Sequence, residues 1–130
     1  MKHIIRNFVL TILLSSCSYK IGDPTECVKF NNDAPVKLID IGHLLSKENK
    51  LELQDFESST TTRQKAAGKQ TFMIHGENIH FFLDRGEEGT TTICGYDETD
   101  GEAASKVRQI ISRLRKHLES LNVTFTSSAD

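Results

Sequence analysis

The chain has 130 residues, of which 37% are hydrophobic and 26% charged. That length is enough for one domain plus a short targeting segment, and the composition is ordinary for a globular domain. The formal net charge of −2 argues against a duplex-DNA-binding protein, because such proteins set lysine and arginine against phosphates.

The first sixteen residues have the pattern of an export signal. Lys2 and Arg6 precede a short apolar run over residues 8–14. Seven helical residues rise about 10 Å, whereas the hydrocarbon core of a bilayer is about 30 Å thick. The run is therefore too short for a stable membrane span, and the sequence predicts export from the cytoplasm.

The apolar run ends in Leu14-Ser15-Ser16-Cys17, which resembles the lipobox of bacterial lipoproteins. The resemblance covers residues 1–17 only and implies removal of residues 1–16 and lipid attachment at Cys17. Two or three acyl chains on that cysteine would anchor the chain stably in a membrane. Ser18, where an aspartate would favour the inner membrane, implies the outer membrane of a Gram-negative cell, facing the periplasm. An ordinary secretory signal with an incidental cysteine is the alternative.

On the lipoprotein interpretation, residues 17–26 form a tether and residues 27–130 form one periplasmic domain. Cys27 and Cys94 are then the two cysteines of the domain. An even pair of cysteines in an exported domain predicts a disulfide bond. Two buried free thiols or a pair of metal ligands are the alternatives, and the absence of a Cys-x-x-Cys motif gives no support to a zinc ribbon or a thioredoxin-type site.

Beyond the tether, the pattern predicts mostly strands until the last quarter of the chain. In residues 34–46 the pattern favours a strand over 36–41 and then a short helical turn, with a helix starting near Pro35 as the alternative. The other predicted elements are strands at 27–30, 50–56, 90–96 and 123–126, a hairpin within 71–83, an exposed loop over 58–69, and a helix over 103–121.

The hairpin is the most specific local prediction. With Gly76-Glu77 in a two-residue turn, Ile74 pairs with Ile79 and Phe72 with Phe81. This register places those four apolar side chains on one face of the hairpin. The opposite face carries polar residues together with exposed apolar ones, namely Met73, His75, Asn78, His80 and Phe82.

The C-terminal helix is predicted from one apolar stripe. The stripe consists of Val107, Ile110, Ile111, Leu114, Leu118 and Leu121. Thr99 with Glu102 three residues later has the pattern of a capping box, and Asn122 is a suitable helix stop. Arg115 lies off the stripe, so its truncation is expected to cost well under 1 kcal/mol. The resulting fold class is α+β, a small antiparallel sheet with one long C-terminal helix packed on one face.

The sequence contains no motif for nucleophilic catalysis, phosphate binding or a cofactor. His75 and His80 share a hairpin face, but a metal ion would need further ligands from elsewhere in the fold. The acidic run 97–102 does not have the ligand spacing of a calcium loop. These observations predict a protein that is not an enzyme and that needs no cofactor.

By elimination, the leading hypothesis is a membrane-anchored protein that binds a protein partner in the bacterial envelope, for instance an immunity or inhibitor protein. The alternative is an assembly accessory, of the pilot type, for a secretion or outer-membrane complex. The predicted partner surface is the hairpin face with Met73, His75, His80 and Phe82, because exposed apolar groups among polar ones favour a contact site. A merely solvated sheet face is the alternative for these residues.

Overall fold

The computed structural model describes residues 22–55, 62–63, 68–86 and 88–129. Six strands in these residues form one antiparallel sheet, and two helices pack on it. In chain order the elements are β1 (Glu26–Asn31), α1 (Leu38–Asn49), β2 (Glu52–Asp55), β3 (Gln70–Gly76), β4 (Ile79–Arg85), β5 (Thr90–Asp97), α2 (Ala104–Ser120) and β6 (Phe125–Ala129). The α+β class and the antiparallel sheet are confirmed. The predicted export signal, Cys17 and most of the predicted loop 58–69 lie outside the described residues.

The strand order is β2-β3-β4-β5-β1-β6. Three consecutive strands, β3 to β5, form a meander in which each strand pairs with the next. The first strand, β1, is inserted between β5 and β6, so the two ends of the domain are neighbours in the sheet. The hairpin β3-β4 therefore lies next to the edge strand β2. On its other side follow the cysteine-bearing strands, first β5 and then β1.

One face of the sheet is covered by both helices and forms the core. Alternation along β4 buries Ile79, Phe81 and Leu83 completely. From α2, the predicted stripe is buried from Val107 to Leu118, while Leu121 is 39% exposed and does not belong to it. The helix therefore presents its predicted face to the sheet from Val107 to Leu118. Leu121, the residue directly after the helix, lies outside this buried face.

The prediction of a strand over 36–41 is wrong, because α1 occupies this part of the chain. Leu38, Ile41 and Leu45 are spaced three and four residues apart, so a helix buries all three on one side. Gly42 lies on the same side, where an added Cβ would lie 3.2 Å from a leucine side chain of β2. The single packed helix expected from the sequence is thus one of two helices on the same face.

The hairpin turn also differs from the prediction. Glu77 and Asn78 form the turn, and Asn78 has a left-handed φ of 66° that asparagine tolerates well. Gly76 is instead the last residue of β3, where a Cβ would collide with the buried side chain of Leu51. The pairs move accordingly, so that Ile74 faces Phe81. The shift amounts to two residues, so every side chain keeps its predicted face.

The ends of α2 are set by backbone geometry rather than by a capping box. The helix begins at Ala104, its cap residue Ala103 makes no side-chain cap hydrogen bond, and the Thr99 N–H and hydroxyl donate to Asp97 instead. At the other end Asn122 has a φ of 58°, and its N–H donates to the carbonyl of Glu119. The next N–H, of Val123, donates to Leu118, which completes a Schellman motif. The predicted cap is wrong, and the predicted stop is confirmed.

Close contact between α2 and the sheet depends on Gly95 in β5. A Cβ at this position would lie 2.5 Å from Val107 Cγ1 and 2.6 Å from Phe81 Cε1. Both neighbours are fully buried, so neither can move aside without disturbing the core. The glycine thus allows the helix to lie directly on the middle of the sheet.

A partly buried ion pair lies at the edge of the same interface. Glu26 is 9% exposed, and its Oε1 accepts a hydrogen bond from Arg115 Nη2. Arg115 also donates from Nε to Ser127 Oγ at 2.9 Å, which ties α2 to β6. We therefore expect truncation of Arg115 to lower the free energy of unfolding by more than the sequence alone predicts. The reason is that its guanidinium neutralises a carboxylate that water barely reaches.

We expect Arg115→Ala to lower the free energy of unfolding by about 2–3 kcal/mol, since it leaves the charge of Glu26 buried without a partner. Chemical denaturation measures this loss. Arg108→Ala, at an exposed position on the same helix, should cost less than about 0.5 kcal/mol. Combining Glu26→Gln with Arg115→Met should restore most of the loss, and equal midpoints for the two alanine variants would contradict this assignment.

Candidate functional site

The candidate site lies on the face of the sheet opposite to the helices. Residues that alternate with the core residues of β3, β4 and β5 point to this side, and none of the described helices covers them. The four residues predicted as partner-binding all lie on this face, which we call the open face. They are Met73, His75, His80 and Phe82.

The predicted cysteine pair is part of the open face. Cys27 in β1 lies directly opposite Cys94 in β5, and the structure joins their sulfurs in a disulfide bond. Their Cα atoms are 4.1 Å apart, well inside the limit of about 7 Å for a bridge. The structure is therefore consistent with the predicted bond and not with free thiols. The bond links two neighbouring strands on the open face.

Next to the disulfide is an aromatic cluster. His80 and Tyr96 are cross-strand neighbours whose rings stack with centroids 4.8 Å apart and planes 6° apart. Phe82 meets both rings edge-on, with centroid distances of 5.5 Å to His80 and 5.8 Å to Tyr96. These are favourable arrangements for aromatic pairs, so the three rings form a fixed platform on rigid strands.

A carboxylate lies near each histidine of the open face. His80 Nδ1 lies 3.4 Å from Glu98 Oε2, and His75 Nε2 lies 3.8 Å from Glu52 Oε2. The His80 side chain is only 17% exposed, whereas that of His75 is 39% exposed. His80 is therefore the more enclosed of the two, stacked on the Tyr96 ring with Glu98 nearby, and His75 is the more exposed.

These groups line a cleft of about 690 Å³. The lining comprises the four predicted residues together with Gly22, Asp23, Gly76, Tyr96, Asp97, Glu98 and Asp100. The volume lies within the range that is usual for ligand sites. Sequence reasoning missed Tyr96 and the carboxylates. Tyr96 is two residues from Cys94, which places both on the same face of β5. Only the pairing of β4 with β5 brings Tyr96 next to His80.

On the acidic side of the cleft, hydrogen bonds fix the side chain of Asp97. Thr99 donates to Asp97 Oδ1 from its hydroxyl at 2.7 Å and from its N–H at 2.8 Å. These hydrogen bonds favour the charged form and lower the pKa of Asp97. Burial raises the pKa of Tyr96, and the negative charge of Asp23 raises it further. The phenol therefore stays neutral beside a negatively charged rim.

The position of Asp23 beside Tyr96 can be tested by titration. Asp23→Asn removes the negative charge that opposes phenolate formation, so the pKa of Tyr96 should fall towards its ordinary value without reaching it, because burial remains. Tyr19→Phe leaves Tyr96 as the only tyrosine, which makes a spectroscopic titration unambiguous. Asp33→Asn is the control, and an equal shift in both aspartate variants would contradict the contact.

The lining of the cleft combines aromatic side chains with carboxylates. The residues lining it in the described part of the chain include no serine, threonine or cysteine nucleophile and no lysine or arginine to stabilise an oxyanion. Nowhere in the described ranges do three or more histidine, cysteine, aspartate or glutamate side chains form a group that could hold a metal ion. What remains is a concave aromatic surface with a negative rim.

Comparison with protein-family models, with curated proteins and with solved structures found no match for this chain. Within residues 22–129, as far as they are described, neither helix is long and apolar enough to cross a membrane.

Proposed function

We propose that this chain is a lipid-anchored, non-enzymatic protein of the bacterial envelope whose open face binds a protein partner. The cleft is the observation that supports the proposal most directly. Its aromatic and thioether side chains, Phe82, Tyr96 and Met73, are of the types enriched at the centres of protein interfaces. Polar residues surround them, as they do in the rim of such interfaces.

The rigidity of the site adds to this argument. Met73, His80, Phe82 and Tyr96 all lie on strands and not on loops. The adjacent disulfide joins β1 to β5 covalently. Because an ordered surface loses little conformational freedom when it is covered, such a platform favours binding without rearrangement.

The proposed anchor would restrict where the partner can be met. Gly22 lines the cleft and lies five positions after Cys17 in the sequence. Even a fully extended chain spans at most about 3.6 Å per residue, so the cleft would stay within roughly 20 Å of the lipidated cysteine. This distance fits a partner that acts at the membrane surface, such as a toxin or lytic enzyme held in check by an immunity or inhibitor protein.

The same short tether suits an alternative function as an assembly accessory of an outer-membrane or secretion complex, because the subunits of such a complex also lie at the membrane. The identity of the partner separates the two functions. One soluble toxin or lytic enzyme favours the first, and a multi-subunit envelope complex favours the second.

Two measurements test the proposal. Mass spectrometry of the mature protein should find acyl groups on Cys17, and Cys17→Ala should release the protein from the membrane. Membrane attachment that survives this change would refute the anchor.

A photo-crosslinking amino acid in place of Met73 should capture a partner in cells, whereas one in place of Arg108, on the exposed side of α2, should not. His80→Glu should abolish capture, and unchanged capture would place the binding surface elsewhere.

A further inference from the structure

We propose that the cleft receives an arginine side chain presented by the protein partner, an inference that rests on the proposed function and specifies what the open face recognises. The first argument is charge. Four acidic residues line the cleft, Asp23, Asp97, Glu98 and Asp100, of which Asp97 already accepts hydrogen bonds from Thr99, while the described lining contains no lysine or arginine. Complementary charge at an interface selects partners and orients them, so the occupant should be a cation.

The aromatic cluster determines which cation fits best. A guanidinium is planar and weakly hydrated, it stacks on aromatic faces, and its N–H groups match carboxylates in pairs. Tyr96 and His80 stack on each other and both line the cleft, so a guanidinium would lie against the outside of this ring pair, beside the carboxylate of Glu98, which is close to His80 Nδ1. A lysine ammonium gains less from such a site, because it keeps more of its hydration and has no plane to stack.

The same features argue against two other occupants. An anionic lipid headgroup would bring its phosphate against these carboxylates, which repel it. A bare metal ion requires three or more ligands in one place, and the described residues do not form such a group. The volume of about 690 Å³ exceeds that of one side chain, and it suits an arginine together with its flanking residues on a partner loop.

N-acetyl-arginine amide serves as the probe, and N-acetyl-citrulline amide, with the same shape but no charge, serves as its control. The chain from residue 18 onward, which contains every described residue, is titrated at low salt while NMR follows the histidine and tyrosine resonances. We expect saturable, millimolar binding of the arginine amide that shifts His80 and Tyr96. The citrulline amide should bind at least about tenfold more weakly, since it cannot pair with the carboxylates as a cation.

Variants locate the site and separate charge from stacking. Glu98→Gln and Tyr96→Leu should each weaken binding about fivefold or more, whereas Glu119→Gln, which removes the same charge from the far side of α2, should leave it unchanged. Equal binding of both amides, or no effect of either cleft variant, would overturn the proposal. If the arginine amide binds only to the Lys20→Ala variant, the proposal is also overturned. The tether's own Lys20 would then be the occupant of the cleft.

The two proposals fail independently. A partner captured from Met73 while the arginine amide does not bind would refute the arginine proposal and leave protein binding intact. Specific binding of the amide without any captured partner would support the cation site and count against the protein-binding function.

Discussion

Leu114→Ala is expected to lower the free energy of unfolding by about 2–5 kcal/mol. Leu114 is 1% exposed and lies in the middle of α2, between Ile111 and Leu118 on the buried side of the helix. Leu45 of α1 belongs to the same cluster, so the side chain is enclosed by the sheet below it and by the other helix beside it. Truncation leaves a cavity that two rigid neighbours cannot fill.

Urea denaturation measures this effect as a shift in midpoint at an unchanged slope. Arg108→Ala is the matched control, because Arg108 is exposed on the same helix and its loss should change stability by less than about 0.5 kcal/mol. Arg115 does not serve as a control, since it is bonded to Glu26. Coincident midpoints for Leu114→Ala and Arg108→Ala would show that the buried face of the helix is assigned wrongly.

The sequence predicts well those parts of the fold in which apolar residues recur with a regular helical or strand period. The stripe on α2 has the helical spacing from Val107 to Leu118, and the hairpin alternates without a break on both strands. The hairpin also shows how a wrong detail can leave the main result intact. Moving the turn from Gly76-Glu77 to Glu77-Asn78 changes every pair but no face, because the register shifts by an even number of residues.

The parts that sequence reasoning missed depend on tertiary contacts. Residues 36–41 are apolar enough for either a strand or a helix, and only packing on β2 and β4 selects α1. Gly76 looks like a turn residue, yet the proximity of Leu51 explains its presence at the end of a strand. Arg115 looks like a solvated residue until β1 places Glu26 beside it.

The candidate site shows the same division. Met73, His75, His80 and Phe82 belong to one hairpin, so their common face follows from alternation alone. Tyr96 joins them only because β5 pairs with β4 in one particular register, and the carboxylates join through the loop after β5 and the segment before β1. The negative rim, on which the proposed arginine recognition depends, was therefore beyond the reach of a pattern analysis.

Removing the Cys27–Cys94 disulfide is expected to lower the free energy of unfolding by about 4 kcal/mol. The two cysteines are 67 positions apart, and cross-linking the unfolded chain across a loop of that length removes much of its conformational entropy. A domain of this size usually has a stability of about 5–15 kcal/mol, so the bond supplies a large part of it. Denaturation of the oxidised protein, the reduced protein and a Cys27→Ser, Cys94→Ser double variant gives the comparison.

The reduced protein and the double variant should have similar midpoints, both well below that of the oxidised protein, and reductant should not affect the double variant. The loss should also reach the cleft, because β5 carries both Cys94 and Tyr96 and is released from β1 on one side. We therefore expect the NMR resonances of His80 and Phe82, which pack on Tyr96, to broaden or shift on reduction. Midpoints that do not respond to reductant in the wild-type protein would show that the bond contributes nothing to stability.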